Sequence, residues 1–179
     1  MPDPSPYQVR PAVFRDAQGI AHVHIQSWQA AYAELMPAEV IAARSLAQRT
    51  AQWQQWMSER PHESIWVTTQ EDRILGFVAG GPTRGTWAAW CPGEIYALYL
   101  DPSVFGQGLG ARLLQQMIEH LKSQGYASQW VWVLTTNTHA RRFYEKMGGV
   151  YATTSTVHLG EPPVAFEEVA YRFNGQSAK

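Results

Sequence analysis

The stretch "EIYALYLDPSVFGQGLGARLLQQMIEHLKSQG", residues 94–125, joins an apolar run to a helix-forming run through three glycines at alternate positions, Gly106, Gly108 and Gly110. "GEIYALYL" (93–100) is apolar along nearly its whole length, so it reads as a strand buried on both faces, near the centre of a sheet. The following helix runs from about Gly108 to Gln124 and is closed by Gly125. A strand, a glycine turn and a helix in that order leave unpaired backbone N–H groups at the positive end of a helix dipole, an arrangement suited to a phosphate. Glycine matters there because a Cβ would obstruct the close approach of a ligand oxygen. Two familiar phosphate-loop readings compete with a loop that merely turns the chain. A Walker A loop needs Lys-Ser/Thr after its last glycine, and Gly110 is followed by Ala111-Arg112. The dinucleotide pattern G-x-G-x-x-G/A is met by Gly106, Gly108 and Ala111, but it asks for an acid at the end of the next strand, which ends Leu134-Thr135-Thr136. That pattern also belongs on a first strand, whereas this loop follows the fourth. The glycines alone leave the question open.

Around this segment the spacing predicts a first strand at 7–14, then Asp16 as an N-cap. Helical segments follow: "AQGIAHVHIQSWQAAYAEL" ended by Met36-Pro37, "PAEVIAARS", and "LAQRTAQWQQWMSE" stopped by Pro61. "SIWVTTQ" and "RILGFVAGG" form a hairpin around Glu71-Asp72. "SQWVWVLT" is a fifth strand, "HARRFYEKM" a short helix ended by Gly148-Gly149, and "VYATTSTVHL" with "FEEVAYRF" a terminal hairpin. A chain of 179 residues fits one domain, with a core at 7–173 and a polar tail at 174–179. At 45% apolar and 16% charged residues, with net charge -1, neither disorder nor a polyanion-binding field is expected, so nucleic acid is excluded as a general partner. The start, "MPDPSPYQVR", lacks the basic and apolar regions of a signal peptide, and no apolar run reaches the roughly 20 residues of a membrane span, so no membrane association and a cytoplasmic location are expected. Cys91 is the one cysteine, which rules out an intrachain disulfide and a Cys-based zinc site; it is expected to pack as a small apolar side chain. The histidines show no metal-ligand spacing, so no metal is expected.

A second motif supplies the context that the glycines lack. "NTHARRFYEKMGG" resembles N-x-x-A-x-x-F-Y-E-K-x-G, and "FGQGLGA" resembles Q/R-x-x-G-x-G/A; these are the two motifs of the GNAT superfamily of N-acetyltransferases, in the right order and one strand apart. The resemblance covers about residues 65–150. It implies an α/β (α+β) GNAT fold: a mixed, mostly antiparallel central sheet of about seven strands flanked by helices, with strands four and five splayed. It also implies acetyl-CoA as co-substrate. The backbone N–H groups of Phe105, Gly106, Gln107, Gly108, Leu109, Gly110 and Ala111 would cradle the pyrophosphate. The pantetheine arm would pair with the backbone of Leu98, Tyr99 and Leu100, the N–H near Leu98 polarising the thioester carbonyl. Asn137 would contact the pantetheine or hold the splay open, with Ala140 and Phe143 on the same short helix. Phe105 departs from the motif, where Gln or Arg is usual; Gln107 and Arg112 are the side chains placed to replace that contact.

By the same resemblance Tyr144 protonates the leaving thiolate, with aromatic packing beside Phe143 as the plain alternative. Glu94 is the first choice of base. It opens strand four, where a period of two puts it on one face with Tyr96 and Leu98; a strand-end carboxylate facing solvent is the other reading. His24, Trp28 and Tyr32 recur at i, i+4 and i+8 on the first helix and, with Tyr96, are expected at an acceptor site, where Trp and Tyr rings would hold a cationic amine; an aromatic stripe of that spacing also suits a core. "VHIQSWQAAYAELMP" resembles the first helix of bacterial polyamine-type N-acetyltransferases. The segment with Trp87 and Trp90 is a lid, a dimer contact or simple packing. The function expected is acetyl transfer to a primary amine of a small molecule. The alternatives are acetylation of a protein N-terminus or lysine, and a non-catalytic acyl-CoA sensor. A homodimer stays open.

Overall fold

The computed structural model describes residues 6–32, 45–159 and 163–174. Seven strands among them form one sheet: β1 (Gln8–Pro11), β2 (Ser64–Gln70), β3 (Arg73–Pro82), β4 (Gly93–Leu100), β5 (Ser128–Leu134), β6 (Val150–Leu159) and β7 (Val164–Asn174). Their order is β1-β2-β3-β4-β5-β7-β6. Every neighbouring pair is antiparallel except β4 and β5, which run parallel. The terminal hairpin therefore lays its second strand, β7, against β5 and leaves β6 at the edge. The helices are α1 (Ala17–Tyr32), α2 (Leu46–Glu59), α3 (Leu109–Ser123) and α4 (Thr138–Lys146). The segment "PAEVIAARS" and the Met36-Pro37 helix end lie outside the described residues, apart from Ser45, which caps α2 through its side chain.

Two cores sandwich the sheet. On one face, α3 presents Leu113, Leu114, Met117 and Leu121, an apolar stripe at helical spacing, to Val78, Ile95, Val131 and Val133. On the other, Ile20, Ala21 and Val23 of α1 and Trp53 of α2 pack on Val67, Phe77 and Ala79. Cys91 is buried, with Sγ 3.5 Å from Ser128 Oγ.

Asp16 differs from its expected role. A short 3-10 turn (Phe14–Asp16) precedes α1, and the Asp16 carboxylate closes that turn by accepting the Val13 N–H at 2.8 Å while Arg10 grips both its oxygens. This turn also cuts the first strand short of residue 14. In the β2–β3 hairpin, Gln70 pairs with Arg73 across a two-residue loop whose first residue, the exposed Glu71, sits at φ +52°. An L-residue with a Cβ is strained there, so Glu71→Gly is expected to raise stability by about 0.5–1 kcal/mol, read from the urea midpoint.

Candidate active site

β4 pairs with β5 only from Gly93 to Ile95; residues 96–100 have no partner on that side, so the two strands part at Tyr96. A β-bulge marks the same place. Ala79 pairs with Ala97 and Gly80 with Ile95, leaving Tyr96 as the extra residue. The bulge breaks the expected period of two. Ile95 and Leu98 pack toward α3, whereas Tyr96, Ala97 and Tyr99 pack toward α1 and α2, so Glu94 and Tyr96 do not share a face with Leu98.

The backbone direction on the parted edge follows from the register. Asp101 N–H donates to Leu75 O, and alternation then turns the N–H and C=O of residues 98 and 100 away from β3, into the gap, while those of Tyr99 point to β3. Leu98 and Leu100 are thus free of the β3 ladder, as a pairing pantetheine arm requires. Tyr99 is not, and its side chain stacks on His24 instead, ring centroids 5.0 Å apart. The Leu100 carbonyl accepts a short hydrogen bond from Ser27 of α1, which ties that helix to the end of β4.

Asp101 anchors the turn that follows. Its carboxylate accepts from the Ser103 N–H and hydroxyl and from Arg73 at 2.5 Å. Burial pushes the Asp101 carboxyl up, but these contacts together hold it below the ordinary range. The chain then enters α3 through Gly106 at φ +77° and Gly108 at φ +79°, the second being the helix N-cap. A Cβ built at either meets no atom within 4 Å, so the loop borders open space. The N–H groups of Leu109, Gly110 and Ala111 lie in the first turn of α3 and have no intrahelical acceptor. Leu109 itself is buried, and Gly110 rests against Leu100 and Phe143. The Phe105 N–H, expected in the cradle, donates instead to Pro102 O at 3.3 Å, which removes it from the set. Its exposed ring stacks on His139 of α4. Gln107 accepts from the Tyr7 hydroxyl at 2.6 Å. A backbone turn open to space, at the head of a 15-residue helix, fits a pyrophosphate.

Asn137 caps α4, its Oδ1 accepting the Ala140 N–H at 3.1 Å. Ala140 and Phe143 pack against the α3 core, and Tyr144, 6% exposed, lies in that core with its ring beside Phe143, Tyr171 and Phe173.

The opposite side of the gap is a cavity of about 580 Å3 lined by Trp28, Arg84, Trp87, Glu94, Tyr96, Trp132, Leu134, Val157 and Glu168 among others. Glu94 is buried, and Arg84 occupies both its oxygens: the backbone N–H reaches Oε2 at 3.0 Å and the guanidinium reaches Oε1 at 2.8 Å. Both oxygens of Glu94 are thus engaged inside the protein, which corrects the solvent-facing alternative and leaves neither of them turned freely toward an incoming amine. Arg84 also lies over the Tyr96 ring, 4.1 Å from its centroid, and the Tyr96 hydroxyl donates to Pro82 O. Burial, with Glu63 and Glu94 nearby, pushes that phenol well above its ordinary pKa, so Tyr96 stays a neutral wall.

Glu168 was not visible in the sequence as a site residue. It stands opposite Leu134 in the β5–β7 ladder, half-buried at the cavity. Burial first, then the Glu94 charge, raises its carboxyl, and Arg84 only partly opposes them. Trp87 packs on Trp130 and Trp132 and so forms a wall of this cavity, while Trp90 is 70% exposed. A second cavity, of about 320 Å3, lies between α2 and β4 and includes His24, Arg49, Trp53, Trp56, Arg84, Tyr96 and Tyr99 in its lining. His24 and Trp28 thus line neighbouring cavities. Tyr32 ends α1, and its side chain lies outside the described residues. Among the described residues no His, Cys, Asp and Glu group is placed to hold a metal, and no helix is long and apolar enough to cross a membrane.

Residues 26–149 match the Acetyltransferase (GNAT) family. The chain belongs to that family. An uncharacterised N-acetyltransferase of Bacillus subtilis, YuaI, is 32% identical over 130 residues, 72% of each chain. In structure, an N-acetyltransferase from Staphylococcus aureus superposes with a TM-score of 0.72 at 22% identity, covering 96% of this GNAT chain and all of the other. The PaiA N-acetyltransferase of Thermoplasma acidophilum, solved in complex with coenzyme A, has a TM-score of 0.65 at 18% identity, over 90% and 97% of the two chains.

Proposed function

We propose that this GNAT-family protein transfers the acetyl group of acetyl-CoA to the primary amine of a small molecule. The observation that carries the reading is the gap beyond Ile95: it exposes the backbone edge of Leu98 and Leu100 in line with the glycine entrance to α3, and it opens on its other side into an aromatic cavity. Acetyl-CoA would supply an activated thioester carbonyl. The open N–H groups of Gly106 to Ala111 would hold its pyrophosphate, and the Leu98 N–H would donate to the thioester oxygen.

The proton relay divides between the two faces of the sheet. Glu168 takes the proton from the incoming ammonium, because it lines the cavity and burial raises its carboxyl toward the working pH, whereas Arg84 occupies both oxygens of Glu94. Glu94 keeps Arg84 in place and adds the charge that raises Glu168. Tyr144, on the α3 and α4 face, returns a proton to the departing sulfur. Trp28, Trp87 and Trp132 wall the amine side from water. The enclosure by α1, α2 and the Trp87 turn suits a small acceptor better than a protein chain.

The reading is tested by thiol release from acetyl-CoA across polyamines, amino acids, aminoglycosides and peptides; release with peptides alone contradicts it. Tyr144→Phe is expected to lower turnover by about a hundredfold, the lower range for a lost general acid, with acetyl-CoA affinity unchanged. Equal turnover removes Tyr144 from the relay.

A further inference from the structure

α2 carries Arg49, Trp53 and Trp56 at i, i+4 and i+7, on one face of the helix, and that face closes the cavity of about 320 Å3 against Tyr96 and Tyr99. The walls are largely aromatic, and the one charged group this helix face adds is the donor-only guanidinium of Arg49, beside the amide of Gln52. The indole Nε1 groups of Trp53 and Trp56 are buried with no hydrogen-bond partner. The Arg49 guanidinium is half-buried, and among the described residues no carboxylate pairs with it. Arg84, the other guanidinium on the wall, is already committed to Glu94. Burial pulls the Arg49 pKa down and the nearby Tyr99 pulls it up, and a guanidinium keeps its charge through such shifts. Unmatched buried donors cost free energy until an acceptor arrives, and a forked guanidinium fits the two oxygens of a carboxylate. A polycationic acceptor would meet Arg49 as a like charge.

Building on the acetyl-transfer reading, we propose that the acceptor is an amine that also carries a carboxylate, with the carboxylate held by Arg49 and by the indole N–H groups of Trp53 and Trp56. Arg84 and Tyr96 line both cavities, so the two spaces meet beside them. An acceptor anchored at Arg49 would extend its amine past that pair to the gap and to Glu168. The aromatic lining suits an apolar or aromatic body between the two charged ends.

The test uses matched pairs of amino acids whose charged ends lie at opposite ends of the body and their decarboxylated amines: 6-aminohexanoate with pentylamine, 4-(aminomethyl)benzoate with benzylamine, and 4-(2-aminoethyl)benzoate with phenethylamine. Thiol release is measured with each on the full chain. Wild type is expected to favour the carboxylate-bearing member by about ten- to a hundredfold in kcat/KM, the scale of one charge-assisted contact. Arg49→Met should erase that preference by raising KM for the amino acid while leaving the decarboxylated amine unchanged. Trp56→Phe, which keeps the ring and removes the N–H, should shift it partway. Equal or better turnover of the decarboxylated amines, or a preference that survives Arg49→Met, overturns the carboxylate site and leaves acetyl transfer standing. If no amine is acetylated, the parent reading fails. The site is then judged by tryptophan-fluorescence titration with the same amino acids, where the absence of saturable quenching overturns it.

Discussion

Gly108→Val is expected to weaken acetyl-CoA binding by about a hundredfold or more, whereas Gly125→Val leaves it intact. The two glycines bracket α3, at φ +79° and +92°, and a Cβ at either meets nothing within 4 Å. A side chain therefore strains the backbone in both, by roughly 1–2 kcal/mol, and both variants should lose that much stability. Only at Gly108 does the new side chain enter the space in front of the first-turn N–H groups. Losing two charge-assisted hydrogen bonds there, at about 1.5–3 kcal/mol each, accounts for the expected factor. The paired design separates backbone strain from ligand exclusion. Equal affinity in the two variants, measured by calorimetric titration, places the pyrophosphate elsewhere.

Glu168→Gln is expected to lower kcat/KM for the amine by about 10²- to 10⁴-fold near neutral pH, the range for a lost general base, with acetyl-CoA binding unchanged. The same substitution should raise Tm at neutral pH. The folded carboxyl is raised above its ordinary 4.5, so the stability it contributes is full below that ordinary value and is lost as pH rises through the folded one. At pH 7 the ionised Glu168 therefore opposes folding, and glutamine relieves it. The Tm difference should close as the pH falls below the ordinary carboxylate range. In wild type the acid limb of the rate profile should lie above that range and disappear in the variant. A variant with wild-type turnover would return the base role to Glu94 or to water.

Much of the sheet was legible because its signals are local. The extents of β2, β4 and β6 agree residue for residue with the runs "SIWVTTQ", "GEIYALYL" and "VYATTSTVHL". The glycine entrance to α3 and the parting of the fourth and fifth strands also follow the two motifs. What was hidden depends on contacts between segments far apart in sequence. The bulge at Tyr96 arises from the β3–β4 register, and it reverses the side-chain alternation that had aligned Glu94 with Leu98. Arg84 lies in a loop, and only the fold shows that it captures Glu94. Glu168 sits in a run, "FEEVAYRF", that is consistent with either neighbour pointing inward; the insertion of β7 beside β5 decides for Glu168. The segment "LAQRTAQWQQWMSE" was legible only as a helix; that Arg49, Trp53 and Trp56 close a cavity follows from its packing against β4.

The central claim, that the gap beside β4 and the glycine entrance to α3 hold acetyl-CoA, is tested most directly by thermal unfolding of the full chain with and without acetyl-CoA. At a hundredfold excess over its Kd, a ligand of the folded state adds about 2.7 kcal/mol, which for a chain of 179 residues raises Tm by roughly 5–11 °C. That rise, present in wild type and Gly125→Val and lost in Gly108→Val, is the expected result. An unfolding curve that acetyl-CoA leaves in place at every concentration contradicts it.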